Sequence, residues 1–338
     1  MKVKLISPKM SLRPMDSEYK RMLSPSIALL VLASLTPPEH EVTIEDANAG
    51  PIHFDDAPDL VGISVNVDTS KRAYEIASRY RRKGVPVVLG GIHPSAVPDE
   101  ALRYADAVCI GEAEELWAQI LSDAAQKRRK RTYYNRRPTD MAKTPRPRWE
   151  LLNQSAYLYT NIVCASRACA FKCDFCYNSC EYVHNQYRNR PVANVVEEIR
   201  SLGTRHVMFI DDNFIGNPQW TRAFVRAIQP LGLIWHAAVS TNIGLHPELL
   251  DEMAASGCRS LFIGFESLNG DSISSVHKGQ NKIETYDRTI REIHARGMMV
   301  NASMAFGFDH DYPDVFERTA AWLVKNKVET MTAHILTP

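Results

Sequence analysis

Short apolar runs rich in β-branched residues alternate along the chain with longer stretches of helical period. In the first third the runs are Val3–Ser7, Glu41–Glu45, Leu60–Val65, Val85–Leu89 and Ala107–Ile110, and helical stretches separate them. Repeated strand and helix units predict an α/β domain, here over residues 1–125, with a parallel sheet and helices on both faces. Ile27 to Leu35, the longest apolar stretch, reads as a buried helix. After a basic stretch placed at 126–153 as a linker, the alternation resumes over 154–338. Strands are expected at 157–163, 206–210, 234–240, 260–265, 300–306 and 330–336, with helices near 192–202, 218–229, 247–256, 283–296 and 313–326.

Length supports the division, because 338 residues exceed one ordinary hydrophobic core. Five strand and helix units in the first part fit a flavodoxin-like doubly wound domain, whose ligands bind beyond the carboxyl ends of the strands. The formal net charge of +1 gives no global field directed at nucleic acid or an anionic membrane. No apolar stretch approaches the roughly 20 residues needed to span a bilayer. Lys127 to Arg148 holds Lys127-Arg-Arg-Lys-Arg131, Arg136, Arg137, Lys143, Arg146 and Arg148 against one acid, Asp140, with three prolines. Such a stretch reads as a solvated linker, with nucleic-acid contact as the alternative.

Seven cysteines in the chain are too sparse for a disulfide framework. Three of them, Cys169, Cys173 and Cys176, stand C-x3-C-x2-C in the run Ser166-Arg-Ala-Cys-Ala-Phe-Lys-Cys-Asp-Phe-Cys-Tyr177, directly after an apolar segment. Three thiolates on one strand-end loop can hold a cubane iron–sulfur cluster and leave its fourth iron open to a ligand that is not protein. With Cys180, four sulfurs could instead form a zinc site, although zinc sites usually pair C-x2-C units across a longer loop. Cys109 and Cys258 read as core residues, while Cys164 and Cys180 are either spectators or functional thiols.

The run resembles the cluster loop of the radical S-adenosylmethionine superfamily. The resemblance implies a 4Fe-4S cluster on Cys169, Cys173 and Cys176, with the cofactor's amine and carboxylate on the open iron and Phe175 near the adenine. It also implies a partial (β/α)6 barrel with active groups at the C-terminal strand ends. Those ends read Asp211-Asp-Asn-Phe214, Ser240-Thr-Asn242, Gly264-Phe-Glu-Ser267 and Phe306-Gly-Phe-Asp309. Asp211 or Asp212 would take the methionyl amine through a charge-assisted bond. Ser240, Glu266 and Ser267 would bond ribose hydroxyls, and Phe306 and Gly307 would flank the adenine. Taken singly, Asp212 and Asn213 could cap the next helix.

In the first domain the strand-end loops are Asp46-Ala-Asn-Ala-Gly50, Ser64-Val-Asn66, Gly90-Gly-Ile-His-Pro94 and Gly111-Glu-Ala-Glu114. Asp46, Ser64, Gly90 and Gly91 fall in the order of a cobalamin-binding signature, which the domain resembles. Asn48 stands where that family places a cobalt-ligating histidine, and an amide is a poor ligand for cobalt. The resemblance therefore implies base-off cobalamin held by Asp46, Asn48, Ser64, Gly90, Gly91, His93, Gly111 and Glu112, or a domain that no longer binds it. A turn histidine such as His93 is more often structural than a metal ligand.

The resemblance implies reductive cleavage of S-adenosylmethionine to a 5′-deoxyadenosyl radical that abstracts hydrogen, and cobalamin-dependent methylation of an unactivated carbon. Radical cyclisation, ring contraction or carbon–carbon joining without net methyl transfer is the alternative. It further implies a small-molecule or lipid substrate and an electron donor such as flavodoxin or ferredoxin. An oxygen-sensitive cluster and exposed thiols point to the cytoplasm. No side chain is nominated as a general base. In the relatives the chain normally runs on past a final strand, so the end at Thr337-Pro338 suggests a short or partial chain.

Overall fold

The computed structural model describes all residues except 14–15, 129, 181, 183–185 and 337–338. Arg129 of the basic run and the terminal Thr337-Pro338 thus lie outside the described residues. The chain divides into two units, Met1–Thr160 and Asn161–Pro338.

The first unit is a parallel sheet of six strands: β1 (Lys2–Ser7), β2 (Glu41–Asp46), β3 (Leu60–Ser64), β4 (Val87–Gly90), β5 (Ala107–Ile110) and β6 (Thr132–Tyr134). Their spatial order is β2-β1-β3-β4-β5-β6. Its helices are α1 (Ile27–Ser34), α2 (Ser70–Arg82), the short α3 (Ile92–Ala96) and α4 (Pro98–Ala101), and α5 (Glu114–Ala125). The order reverses between β1 and β3, which places the switch point of a doubly wound sheet at the loops after these strands. β3 is buried at all but its last residue, as expected for a strand covered on both faces. Val3, Leu5, Leu60, Val88, Trp117 and Ile120 pack into one core.

The basic stretch is not a free linker along its length. Thr132–Tyr134 pairs in parallel with β5, Asn135 continues the ladder by donating to the Ile110 carbonyl at 3.0 Å, and the Arg148 amide donates to Leu30 at 3.3 Å. Two tyrosines in Thr132-Tyr-Tyr134 carry strand propensity that the surrounding charges masked.

The second unit begins with the two-residue strand β7 (Ile162–Val163), followed by the antiparallel pair β8 (Ser166–Arg167) and β9 (Arg188–Asn189). Strands β10 (His206–Phe209), β11 (Ile234–Val239), β12 (Cys258–Glu266), β13 (Met299–Phe306) and β14 (Thr330–Ile335) complete an open parallel sheet in the order β7-β10-β11-β12-β13-β14. The intervening helices are α6 (Val192–Ser201), α7 (Pro218–Ile228), α8 (Pro247–Ala255), α9 (Gly270–Ser275), α10 (Tyr286–His294) and α11 (Val315–Lys325). This is the partial barrel that the resemblance implied.

β7 is much shorter than the apolar run 157–163 because the front of that run finds other partners. The amides of Leu158 and Tyr159 donate to the carbonyls of Met22 and Leu23, both at 2.8 Å. The core of this unit centres on Trp235, fully buried, with Phe209 edge-on at 5.7 Å and Phe214 and Phe224 beside it. Burying rings of this size stabilises by roughly 2–3 kcal/mol each.

Candidate active site

Ser166 and Arg167 hold the entrance of the cysteine loop by pairing with β9, and Ala168 turns the chain at φ 64°. The three thiols follow on that one loop, unpaired in any disulfide. A turn from the Cys176 amide to the Cys173 carbonyl (3.0 Å) and a bond from Ser179 Oγ to the same carbonyl (2.8 Å) fix its far side. Donors point at the sulfurs: Gln280 Nε2 lies 3.4 Å from Cys173 Sγ, and Asn213 Nδ2 lies 3.9 Å from Cys169 Sγ. Backbone amides of Phe171 and Asn178 serve Cys169 and Cys176.

Burial raises the Cys169 and Cys176 thiols above their ordinary value, so these sulfurs need both N–H donors and a positive metal to persist as thiolates. Among the described residues, no three His, Cys, Asp or Glu side chains gather closely enough to grip a single ion. A cubane spaces its thiolates more widely than one ion does, because each binds a different iron. The loop and its donors fit such a cluster.

The two acids after β10 have different surroundings. Asp211 is buried; its carboxylate accepts from the Ala165 amide at 3.1 Å and from Ser166 Oγ. It thereby ties β10 to the entrance of the cysteine loop, and burial pushes its pKa up to about 7. Asp212 is exposed and accepts from Tyr177 Oη at 2.5 Å, directly beside the third cysteine. Of the pair, Asp212 is the acid that a ligand can reach. Neither Asp212 nor Asn213 caps the next helix, since Asn217 does so by accepting from the Trp220 amide. Asn213 instead links Cys169 to Ser240, whose amide and hydroxyl both lie 3.3 Å from Asn213 Oδ1.

At the end of β12, Glu266 adopts φ 65° and pairs with Lys278 Nζ at 2.8 Å, both side chains largely buried. Gly264 leaves room for this pair, since a Cβ there would stand 2.4 Å from Glu266 Oε1 and 3.1 Å from Lys278 Nζ and would push these side-chain ends aside. Lys278 also lies 5.6 Å over the Phe175 ring. Ser267 is buried and accepts from the Asn269 amide at 3.1 Å, so its hydroxyl closes a turn. After β13, Phe306 packs on Phe316, while Phe308 meets Phe175 edge-on at 6.1 Å. Gly307 sits at φ 99° with its amide donating to Asp311 at 2.9 Å.

In the first unit, Asp46 Oδ1 accepts from the amide and the side chain of Asn48, and Asp46 Oδ2 accepts from Tyr157 Oη at 3.0 Å. Asn48 Oδ1 accepts from the Met10 amide at 2.8 Å, so this side chain stitches the loops after β1 and β2 together. His93 Nε2 lies 3.0 Å from Tyr74 Oη, which donates to Glu100 at 2.9 Å. The ring is thus held by helix side chains. Gly91 has φ 108° and approaches the next strand end so closely that a Cβ would lie 2.7 Å from the Val65 carbonyl oxygen. Ser64 pairs with Gly90 in the ladder, and Glu112 accepts from the Thr139 amide at 2.7 Å.

Sequence reading missed the residues that join these loops. Ser95 accepts from the Gly111 amide and donates to the Gly91 carbonyl, at 2.9 and 2.7 Å. Lys278, Gln280 and Asn281 lie beyond α9 and reach partners 12, 107 and 17 positions back, so no local pattern marks them. Phe308 lay inside a strand-end run already singled out, and Tyr177 directly followed the third cysteine; position was the available signal for both.

Residues 163–323 match the model of the radical SAM superfamily, and residues 21–121 match that of the B12 binding domain. A bacteriochlorophyllide d C-12(1)-methyltransferase of Chlorobaculum tepidum is 29% identical over 328 residues, 94% of this chain and 72% of the relative. A hopanoid C-2 methylase of Rhodopseudomonas palustris is 28% identical over 329 residues, 92% of this chain and 62% of the relative. Among solved structures, the radical S-adenosylmethionine methyltransferase TsrM of Kitasatospora setae, with cobalamin and a 4Fe-4S cluster bound, has a TM-score of 0.75 at 19% identity over 99% of this chain and 74% of that one.

Proposed function

We propose that this chain, which belongs to the radical S-adenosylmethionine superfamily and carries a B12 binding domain ahead of its barrel, methylates an unactivated carbon of a small molecule. Its cofactors are a 4Fe-4S cluster, S-adenosylmethionine and cobalamin. The observation that carries this reading is the loop of three free cysteines with side-chain donors aimed at two of the sulfurs. When bound, the reduced cluster and S-adenosylmethionine supply a 5′-deoxyadenosyl radical for hydrogen abstraction, and cobalamin supplies the methyl group.

In this reading Cys169, Cys173 and Cys176 would hold three irons. Asp212 would receive the methionyl ammonium in place of the Tyr177 hydroxyl, a charge-assisted bond replacing a neutral donor. Asp211 would act from behind, fixing Ala165 and Ser166 and hence the loop's entrance. Phe175 and Phe308 would wall the adenine, and Glu266, already turned by its positive φ, would face the ribose. Ser240 would support Asn213 and Asn242 at that edge. In the first unit, Gly90, Gly91 and Gly111 would let bare backbone approach a flat macrocycle. Asn48 would leave cobalt without a side-chain ligand, because its amide is bonded to Met10 and Asp46.

The reaction uses a small-molecule substrate and an external reductant. The relatives named for bacteriochlorophyllide d and hopanoid favour a large, mainly apolar substrate, and a flavodoxin or ferredoxin is the proposed donor. No helix among the described residues is long and apolar enough to cross a membrane, and seven free cysteines favour the cytoplasm. Part of the basic stretch packs on the first sheet, where Thr132–Tyr134 supplies β6. The test is anaerobic incubation with a bacteriochlorophyllide or hopanoid acceptor, dithionite and methyl-labelled S-adenosylmethionine. Label in the acceptor is the expected result. 5′-Deoxyadenosine formed without label transfer to any acceptor would point instead to radical rearrangement.

A further inference from the structure

The segment Val276–Asn281 follows the fourth barrel strand and its short helix, and four of its residues also touch the cysteine loop. The Asp174 amide, between the second and third cysteines, donates to the Val276 carbonyl at 3.1 Å. His277 Nδ1 lies 2.7 Å from the Asp174 carboxylate, and His277 holds φ 54°, unusual for a residue with a side chain. Lys278 spans Glu266 and the face of Phe175. Gln280 places its amide nitrogen 3.4 Å from Cys173 Sγ, the most buried of the three sulfur-bearing residues on the loop.

Gln280 is not placed there by chance rotation of a surface side chain. Its own carbonyl accepts from Thr241 Oγ1 at 3.2 Å, and its neighbour Asn281 is buried among four partners. Asn281 Nδ2 donates to the carbonyls of Gly264 and Phe265 (both 2.9 Å) and reaches Tyr286 Oη at 2.8 Å, while Asn281 Oδ1 accepts from Thr241 at 3.0 Å. Strand end, helix and third-strand loop therefore fix the backbone from which Gln280 reaches the sulfur.

We infer that Gln280 is a positioning residue that sets the reduction potential of the cluster through its N–H···S bond to Cys173. This rests on the cluster assignment above. A one-electron reduction by a low-potential donor adds one negative charge to the cluster, and that charge is shared with the ligating sulfurs. An N–H dipole directed at a sulfur stabilises the more negative state, so it raises the potential. Because Cys173 is buried, water cannot substitute for the amide, and the effect is larger than at an exposed ligand.

The test is an anaerobic potentiometric titration of the full-length chain, reconstituted with iron and sulfide and followed by electron paramagnetic resonance of the reduced cluster. The variants are Gln280→Leu, similar in size without a donor, and Gln280→Glu, which keeps the length and replaces the donor with an acceptor. Iron content equal to wild type, with a midpoint more negative by about 59 mV for the tenfold weaker reduction expected in the Leu variant, is the predicted result. The Glu variant is expected to shift further in the same direction. It also carries the test if the Leu variant fails to load iron. A variant with full iron and the wild-type midpoint would overturn the inference. Wild-type protein that binds no iron would overturn the cluster assignment itself, and the two failures are told apart by metal analysis before any titration.

Discussion

At the strand ends of the first sheet, Gly90, Gly91 and Gly111 show backbone, and the nearby polar side chains of Asn48 and His93 are bonded to their own domain. The strand ends of the barrel carry side chains instead: Asp212, Asn213, Ser240 and Glu266, joined to each other, to Tyr177 or Lys278, and to a cysteine sulfur. The two surfaces suit different partners. Bare backbone allows close approach by a large flat group without specifying its polar contacts, whereas a network of donors and acids can fix small charged groups and tune sulfur. Single side-chain changes should therefore act sharply in the barrel and weakly in the first unit, where backbone geometry is what matters.

The strongest break in that comparison is Cys173→Ser. It should reduce bound iron after reconstitution from about four per chain to background, because a cubane with two protein thiolates is not retained. Iron analysis after desalting checks it, and full iron content in the variant would remove Cys173 from the site.

Asp211 comes next. Its folded pKa of about 7 lies above the ordinary 3.8, so between these values the folded chain holds a proton that the unfolded chain has lost. Its contribution is fully present below the unfolded pKa and is lost as pH rises through 4 to 7, by roughly 4 kcal/mol at most. Denaturant unfolding of wild type and Asp211→Asn across that range should show the wild type alone carrying this downward slope. Parallel pH profiles would show that Asp211 titrates normally.

In the first unit, the sensitive position should be a glycine. Gly91→Ala forces a Cβ against the Val65 backbone at positive φ and should cost about 2–3 kcal/mol, with loss of corrinoid retention. Urea midpoints and the visible spectrum of the desalted protein measure both effects. His93→Gln is the mildest change. It should cost no more than about 1 kcal/mol and leave the corrinoid spectrum as in wild type, since the ring bonds Tyr74 and Glu100. A spectral change would make His93 a cobalt ligand and end the contrast between the two units.

The sequence made the architecture legible because each strand is a compact apolar run, and it exposed the cysteine loop because C-x3-C-x2-C is local. It was less informative where pairing is decided at a distance. The front of the run 157–163 looks like a strand but bonds to Met22 and Leu23, and the charges around Thr132–Tyr134 concealed an edge strand. Asp211 and Asp212 are adjacent in sequence and equivalent on paper; only burial separates the one that anchors β10 from the one that faces outwards. The donors at Asn213 and Gln280 reach sulfurs 44 and 107 residues away, and nothing in either neighbourhood of the chain announces them.

The central claim is that one unit holds a cluster and the other a corrinoid. Anaerobic reconstitution with iron, sulfide and hydroxocobalamin, followed by desalting, metal analysis and the visible spectrum, tests it directly. About four irons and one base-off cobalamin per chain is the predicted result. Zinc in place of iron, or iron with no retained cobalt, would contradict it.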